Sequence, residues 1–166
     1  MSEYLAKINW NRNGVLFSDN LYNRAHVWEF DGGLHVPASS SPHVVPIPLS
    51  NPANVDPEEA FVASVSSCHM LWFLAIAAKK RFVVDSYVDK AVGVMEKDEQ
   101  GKLAMTRITL RPSIVFAGAI PTDSQIYEMH ELAHENCYIA NSVKTLITIE
   151  SPKPLQDDLP QGYKEY

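Results

Sequence analysis

Asp56-Pro57-Glu58-Glu59-Ala60-Phe61-Val62-Ala63-Ser64-Val65-Ser66-Ser67-Cys68-His69 opens the run that decides how this chain folds. Asp56 is a capping residue, and Pro57 stands at the first helical position, where a missing N–H costs nothing. Glu58 and Glu59 lie on the positive end of the helix dipole, and Lys79-Lys80-Arg81 suit its carbonyl end. The pattern predicts a helix over about 57–80. Between these ends, Ala60 to Ala78 is 19 residues without a charged side chain, close to the length of a membrane span. The run also carries Ser64, Ser66, Ser67, Cys68 and His69, and no comparable run occurs elsewhere. It is therefore read as a central helix buried on all sides, by its own protein and by a partner subunit, and not as a membrane segment.

The sequence before this helix reads as strands. Tyr4, Ala6, Ile8 and Trp10 alternate with polar neighbours until Asn11-Arg12-Asn13-Gly14 breaks the pattern. A second alternation, Ala25 to Phe30, ends at the turn signal Asp31-Gly32-Gly33, and a short third strand follows. Pro37 to Pro52 holds five prolines and is expected to run as an irregular apolar loop. After the helix, two strands, roughly Val83 to Glu96 and Leu103 to Phe116, are joined by a hairpin turn at Lys97–Lys102. Pro121-Thr122-Asp123-Ser124 opens a second helix, about 122–137, and Thr145 to Glu150 reads as a closing strand. The tail after Pro152 is expected to lie loosely on the surface. The order is that of an α+β domain, helices packed on antiparallel sheets, with 1–166 forming one domain.

A net charge of −6 and the lack of any run of like charges speak against nucleic-acid binding. No basic segment followed by an apolar stretch opens the chain, so a cytoplasmic location is expected. In that reducing compartment a purely structural disulfide is unusual. The only two cysteines, Cys68 and Cys137, stand 69 residues apart, each in a helix-like run. They are either inert packing residues or a redox pair, and paired across the fold they would suit a thiol that attacks an oxidant and a second that resolves the product.

An attacking cysteine must be a thiolate, and an ordinary thiol titrates near about 8.5. Cys68 lies ten residues past Glu58, or about 15 Å along a helix, too far for the helix dipole to help. A cation is needed instead, and Arg, always charged and forked, can hold a thiolate and a carboxylate together. Arg24, entering the second strand, is the candidate, with Arg12 as runner-up. Glu58 or Glu59 could orient it, although capping alone also accounts for both acids. His69 points about 100° away from Cys68 on a helix and reads as a core histidine, as does His26.

His130-Glu131-Leu132-Ala133-His134 spells H-E-x-x-H, with two histidines on one helical face, as in zinc hydrolases. Zinc there would need a third protein ligand, for which Cys137 is placed, with the glutamate as base. The third histidine of the longer motif is missing. Five residues match by chance often enough to make this the weaker reading.

Pro57-Glu58-Glu59-Ala60-Phe61 leading to Ser67-Cys68, and Ala133-His134-Glu135-Asn136-Cys137 leading to Ser142-Val143-Lys144, resemble the paired cysteine blocks of OsmC/Ohr proteins, the osmotically inducible and organic hydroperoxide resistance proteins. The resemblance spans nearly the whole chain. It implies an intertwined homodimer with active sites at the subunit interface and no metal or organic cofactor. It also implies that Cys68 attacks an organic hydroperoxide to form a sulfenic acid. Cys137 then closes a disulfide, and a dithiol, such as that of a dihydrolipoyl protein, reduces it. Tyr138 stands where many members carry Pro, the catalytic Arg varies in place between branches, and the Pro37–Pro52 loop with His35 and His43 has no mapped counterpart. A second reading therefore stands beside the peroxidase: a catalytically silent member that binds an apolar ligand in the dimer crevice.

Overall fold

The computed structural model describes residues 1–150, and the tail after Pro152 lies outside them. Strands and helices follow in the order β1 (Ala6–Asn9), β2 (His26–Phe30), β3 (His35–Ala38), α1 (Pro57–Lys79), β4 (Val83–Asp89), β5 (Val92–Lys97), β6 (Leu103–Leu110), β7 (Pro112–Ala117), α2 (Asp123–Asn136) and β8 (Leu146–Ile149). This is the expected α+β arrangement. By its contacts the chain divides after Phe61 into two compact units.

In the first unit, β1, β2 and β3 form an antiparallel meander in which Ile8 faces Trp28 and Trp28 faces Val36. Pro37, expected to open the irregular loop, is still a β3 residue opposite Val27. The loop beyond it reverses the usual polarity. Ser39, Ser41 and Ser50 are buried, whereas Val44 and Ile47 are exposed. Two of the three serines are satisfied locally, Ser39 Oγ accepting from Asn51 N–H at 3.0 Å and Ser41 Oγ from His43 N–H at 3.3 Å. Asn54 Nδ2 donates to the Ala38 carbonyl at 3.1 Å, whereas Ser50 Oγ is buried with no hydrogen-bond partner. The start of α1 is capped as expected. Asp56 Oδ1 accepts from Glu59 N–H at 2.7 Å while Glu59 Oε2 accepts from Asp56 N–H at 3.3 Å. This reciprocal pair satisfies two donors that the helix cannot use itself.

In the second unit α1 continues to Lys79. Arg81 turns the chain with φ of 66°, and Phe82 N–H bonds back to the Ala77 carbonyl at 3.0 Å, a Schellman-type closure. Val65, His69, Phe73 and Ala77 form the buried stripe of α1. By length and composition α1 could cross a bilayer, but this stripe is core. Phe73 and Ala77 pack with Met129 and Ala133 of α2, surrounded by Ile76, Phe82, Tyr87 and Phe116. Thr122 and Gln125 make a full capping box at the start of α2.

The two long strands expected between Val83 and Phe116 exist as one hairpin ribbon, but each is bent into two. β5 pairs with β6 near the turn, and β4 pairs with β7 at the far end, in separate sheets. The break falls at Lys90–Ala91 and Arg111. Pro112, with no N–H to give, opens β7, and Asp89 Oδ1 takes the Arg111 N–H at 2.6 Å in place of a ladder bond. Two irregularities shift the register: Asp85 is extra on β4, and Thr106 is extra on β6. The closing strand β8 lies beside β6 but runs parallel to it, so this third sheet is mixed. Gly93 of β5 is sited where a Cβ would meet Met105 Sδ at 2.5 Å and Val62 Cγ2 of α1 at 2.6 Å. Gly93→Ala is expected to lower stability by about 1–3 kcal/mol through overpacking. The check is a lower urea midpoint at unchanged m-value.

Candidate active site

Both cysteines fall in the second unit, one from each helix. Cys68 lies midway along α1 and is half-buried; Cys137 is the C-cap of α2 and is 1% exposed. Their side chains are within hydrogen-bonding reach of each other. Both are free thiols. Burial first, then the hydrogen bond to Cys68, pushes the Cys137 thiol up to about 11, against the opposing backbone N–H groups of Ala140 and Ile139. The Ala140 N–H approaches Cys137 Sγ at 3.4 Å. Cys137 therefore holds its proton at neutral pH, and the chain past α2 wraps its sulfur in backbone donors.

Cys68 opens onto a cavity of about 510 Å³. From α1 it is lined by Ser64, Ser67, Cys68, Leu71, Trp72 and Ala75, and from the chain after Cys137 by Tyr138 and Ile139. The α1 residues recur every three or four positions and so share one face of the helix. Apart from the hydroxyls of Ser64, Ser67 and Tyr138 and the Cys68 thiol, the lining side chains are chiefly apolar. Trp72 and Tyr138 meet edge to face with centroids 5.5 Å apart. Sequence reading identified neither of them as site residues, although the step of four from Cys68 to Trp72 was there to be read.

Behind Cys68, His69 points into the core, as expected. Its Nε2 lies 3.0 Å from Nδ1 of His130 on α2, the rings stack at 5.3 Å, and Phe73 lies 4.4 Å from the His130 ring. Burial, with smaller repulsion from His130 and His134, pulls His69 down to about 3, and burial pulls His130 down to about 4. Both rings are neutral at pH 7. His130 of the H-E-x-x-H run is thus engaged with His69 and Phe73. Among the described residues no three His, Cys, Asp or Glu side chains converge to hold a metal.

Arg24 and Glu58 belong to the first unit. The Arg24 guanidinium donates to the Asn20 carbonyl at 3.0 Å and to Asn20 Oδ1 at 2.7 Å, and also to the Tyr22 carbonyl. It sits 3.8 Å over the Tyr22 ring. It is held by its own loop. Arg12, the runner-up, bonds the Val15 carbonyl at 3.3 Å. His26 is satisfied on both nitrogens, accepting from Trp28 Nε1 at 2.9 Å and meeting the Arg24 carbonyl at 2.8 Å. The two acids at the start of α1 divide: Glu59 closes the capping box, whereas Glu58 Oε2 is buried with no hydrogen-bond partner. Such an oxygen calls for a cation or a donor.

A model of the OsmC-like protein family matches residues 50–151. Among solved structures, an OsmC-like protein of unknown function from Vibrio cholerae is 58% identical, with a TM-score of 0.89 over 90% of this chain and 99% of that one. An organic hydroperoxide resistance protein from Elizabethkingia anophelis superposes with a TM-score of 0.66 at 16% identity, covering 92% of this chain and 94% of that one. The organic hydroperoxide resistance protein OhrB of Bacillus subtilis gives a TM-score of 0.61 at 17% identity, covering 92% and 98%. At such identities the last two share the fold with this chain. A search of curated proteins returns no match.

Proposed function

The chain belongs to the OsmC-like proteins, and from that premise we propose that it is a thiol peroxidase reducing organic hydroperoxides to alcohols. The observation that carries the reading is the placement of its only two thiols side by side at an apolar groove, one open to it and one buried. Cys68, as thiolate, attacks the terminal peroxide oxygen. The O–O bond breaks, the alkoxide takes a proton and leaves as alcohol, and Cys68 becomes a sulfenic acid. The Cys137 sulfur then attacks the Cys68 sulfur, an S–S bond forms, and the hydroxyl departs as water with the Cys137 proton. An external dithiol returns the two electrons.

Cys137 suits the second role, since a thiol that keeps its proton near neutrality is a poor first nucleophile. The apolar lining favours substrates with an organic tail over hydrogen peroxide. Arg24 is proposed as the cation that stabilises the Cys68 thiolate, with Glu58 as the acid that orients it. To act so, Arg24 would leave Asn20 and Tyr22, and the unpartnered Glu58 oxygen would gain a donor. A homodimer working in the cytoplasm completes the proposal. Leu71, 63% exposed, lies with Ala63, Ser67 and Ala75 on an exposed stripe along the uncharged stretch of this helix, which supports cover by a second chain.

The test is stopped-flow consumption of cumene hydroperoxide against hydrogen peroxide with a dithiol reductant, counting free thiols before and after. Fast loss of two thiols per chain with the organic substrate is the expected result. Unchanged thiols under excess peroxide would sink the peroxidase and leave the groove as a binding site for an apolar ligand.

A further inference from the structure

The two thiols arrive from different elements, and something must hold them together through the reaction. On the core side α1 is joined to α2 by the His69–His130 and Phe73–His130 contacts. The chain beyond Cys137 is tied mostly to itself and to the end of α2. Asn141 N–H bonds the Cys137 carbonyl at 3.0 Å, Asn141 Nδ2 bonds the Glu135 carbonyl at 2.9 Å, and Ser142 Oγ bonds the Tyr138 carbonyl at 2.7 Å. None of these bonds reaches α1. On the groove side, where Ile139 also lines the cavity with α1, the ring of Tyr138, the residue next to Cys137, is set against Trp72, one helical turn past Cys68. The ring is otherwise largely exposed, at 69%. A tyrosine that spends its ring on one contact beside the resolving thiol is placed to govern where that thiol sits.

We propose that Tyr138, through Trp72, is a positioning residue that holds Cys137 over Cys68 so that the sulfenic acid is captured before a second peroxide reaches it. This rests on the peroxidase reading. It concerns the second chemical step, which is read apart from the first because Tyr138 also lines the groove that Cys68 opens onto. The competing fate is balanced in the same terms: a second peroxide transfers one oxygen to the Cys68 sulfenic acid, giving a sulfinic acid and a second alcohol. A thiol left free to wander loses this race more often. An aromatic pair of this geometry contributes enough to shift a positioning equilibrium roughly three- to tenfold.

The experiment is a single-turnover series with cumene hydroperoxide, quenched in acid, with disulfide, sulfenic and sulfinic forms of Cys68 resolved by mass spectrometry. Wild type, Tyr138→Ala, Tyr138→Phe and Trp72→Leu are compared. Closure is read as the peroxide-independent conversion of sulfenic acid to disulfide, so that any change in the first oxidation drops out. In Tyr138→Ala and Trp72→Leu it is expected to slow roughly three- to tenfold, and sulfinic acid to rise as peroxide is increased. Tyr138→Phe, which keeps the ring, is expected to restore closure. Unchanged closure in Tyr138→Ala overturns the proposal, as does a loss confined to the first oxidation, which would make the ring a substrate wall instead. Failure of Tyr138→Phe to rescue would also overturn it, because the hydroxyl and not the ring contact would then matter. A wild-type protein that forms neither sulfenic acid nor disulfide rejects the peroxidase reading itself, a result separable from all of these.

Discussion

Cys68→Ser is expected to abolish consumption of organic hydroperoxide, by roughly 10³-fold or more, as loss of a nucleophile does. Cys137→Ser, in contrast, is expected to consume one equivalent per chain without closing the disulfide, with the oxygen retained on Cys68, and a second equivalent only as excess peroxide carries the sulfenic acid on to the sulfinic acid. The asymmetry follows from burial. Cys68 opens to the groove, whereas Cys137 is 1% exposed and pushed up to about 11, so peroxide has access to one sulfur and the proton stays on the other. Peroxide assays with thiol counting decide this. Turnover lost in Cys137→Ser with Cys68→Ser still able to reduce peroxide would reverse the assignment.

The second large effect is on stability. His69 and His130 are held in the fold at about 3 and about 4, well under the value near 6.5 they regain on unfolding. The unfolded chain therefore binds protons that the folded one refuses. The stability that these rings contribute is complete above about pH 6.5 and is lost as the pH falls through the window toward about 4. Each ring contributes a slope of about 1.4 kcal/mol per pH unit inside that window, and a loss of several kcal/mol between pH 7 and 4.5 is expected. Urea midpoints at pH 7.5, 6 and 5 measure it. Replacing both rings by glutamine, which keeps a hydrogen bond available, is expected to flatten the dependence. A slope that persists in the double variant would place the acid sensitivity on other groups.

Local signals carried much of the fold because local chemistry makes it. The Asp56-Pro57-Glu58-Glu59 start, the Lys79-Lys80-Arg81 end, the turn at Lys97–Lys102 and the Thr122 cap each satisfy their own backbone, and each can be read from a handful of residues. The bend at Lys90–Ala91 was harder to see because neither residue is a turn former; only Pro112 on the opposite arm announces it. The parallel placement of β8 follows from where α2 returns the chain, a tertiary matter that no short window contains. Within the site, chemistry made the cysteines visible. Trp72 and Tyr138 were less so, since each alone is an ordinary aromatic and their meaning lies in a contact across 66 residues of sequence. The spacing of His130 and His134 drew attention to zinc, while the partner that His130 has is His69, on another helix.

The two register irregularities of the hairpin ribbon have a joint effect. Counting outward from the Lys97–Leu103 pair, the extra Thr106 puts the second arm one residue ahead, and the pairing keeps that offset through the bend, at Val92–Thr109 and again at Asp89–Pro112. The extra Asp85 on the first arm then cancels it, so Val84 meets Phe116 with the arms level again. The ribbon behaves as a ledger with one debit and one matching credit on opposite sides. Because neighbouring side chains point to opposite faces, a residue added or lost at a paired position would turn over everything between it and the nearest free end. Thr106 and Asp85 have no partner across the ribbon, so losing either would straighten the ladder locally and keep the flanking pairs. Changes of length in this region are thus absorbed at these two points and at the turn.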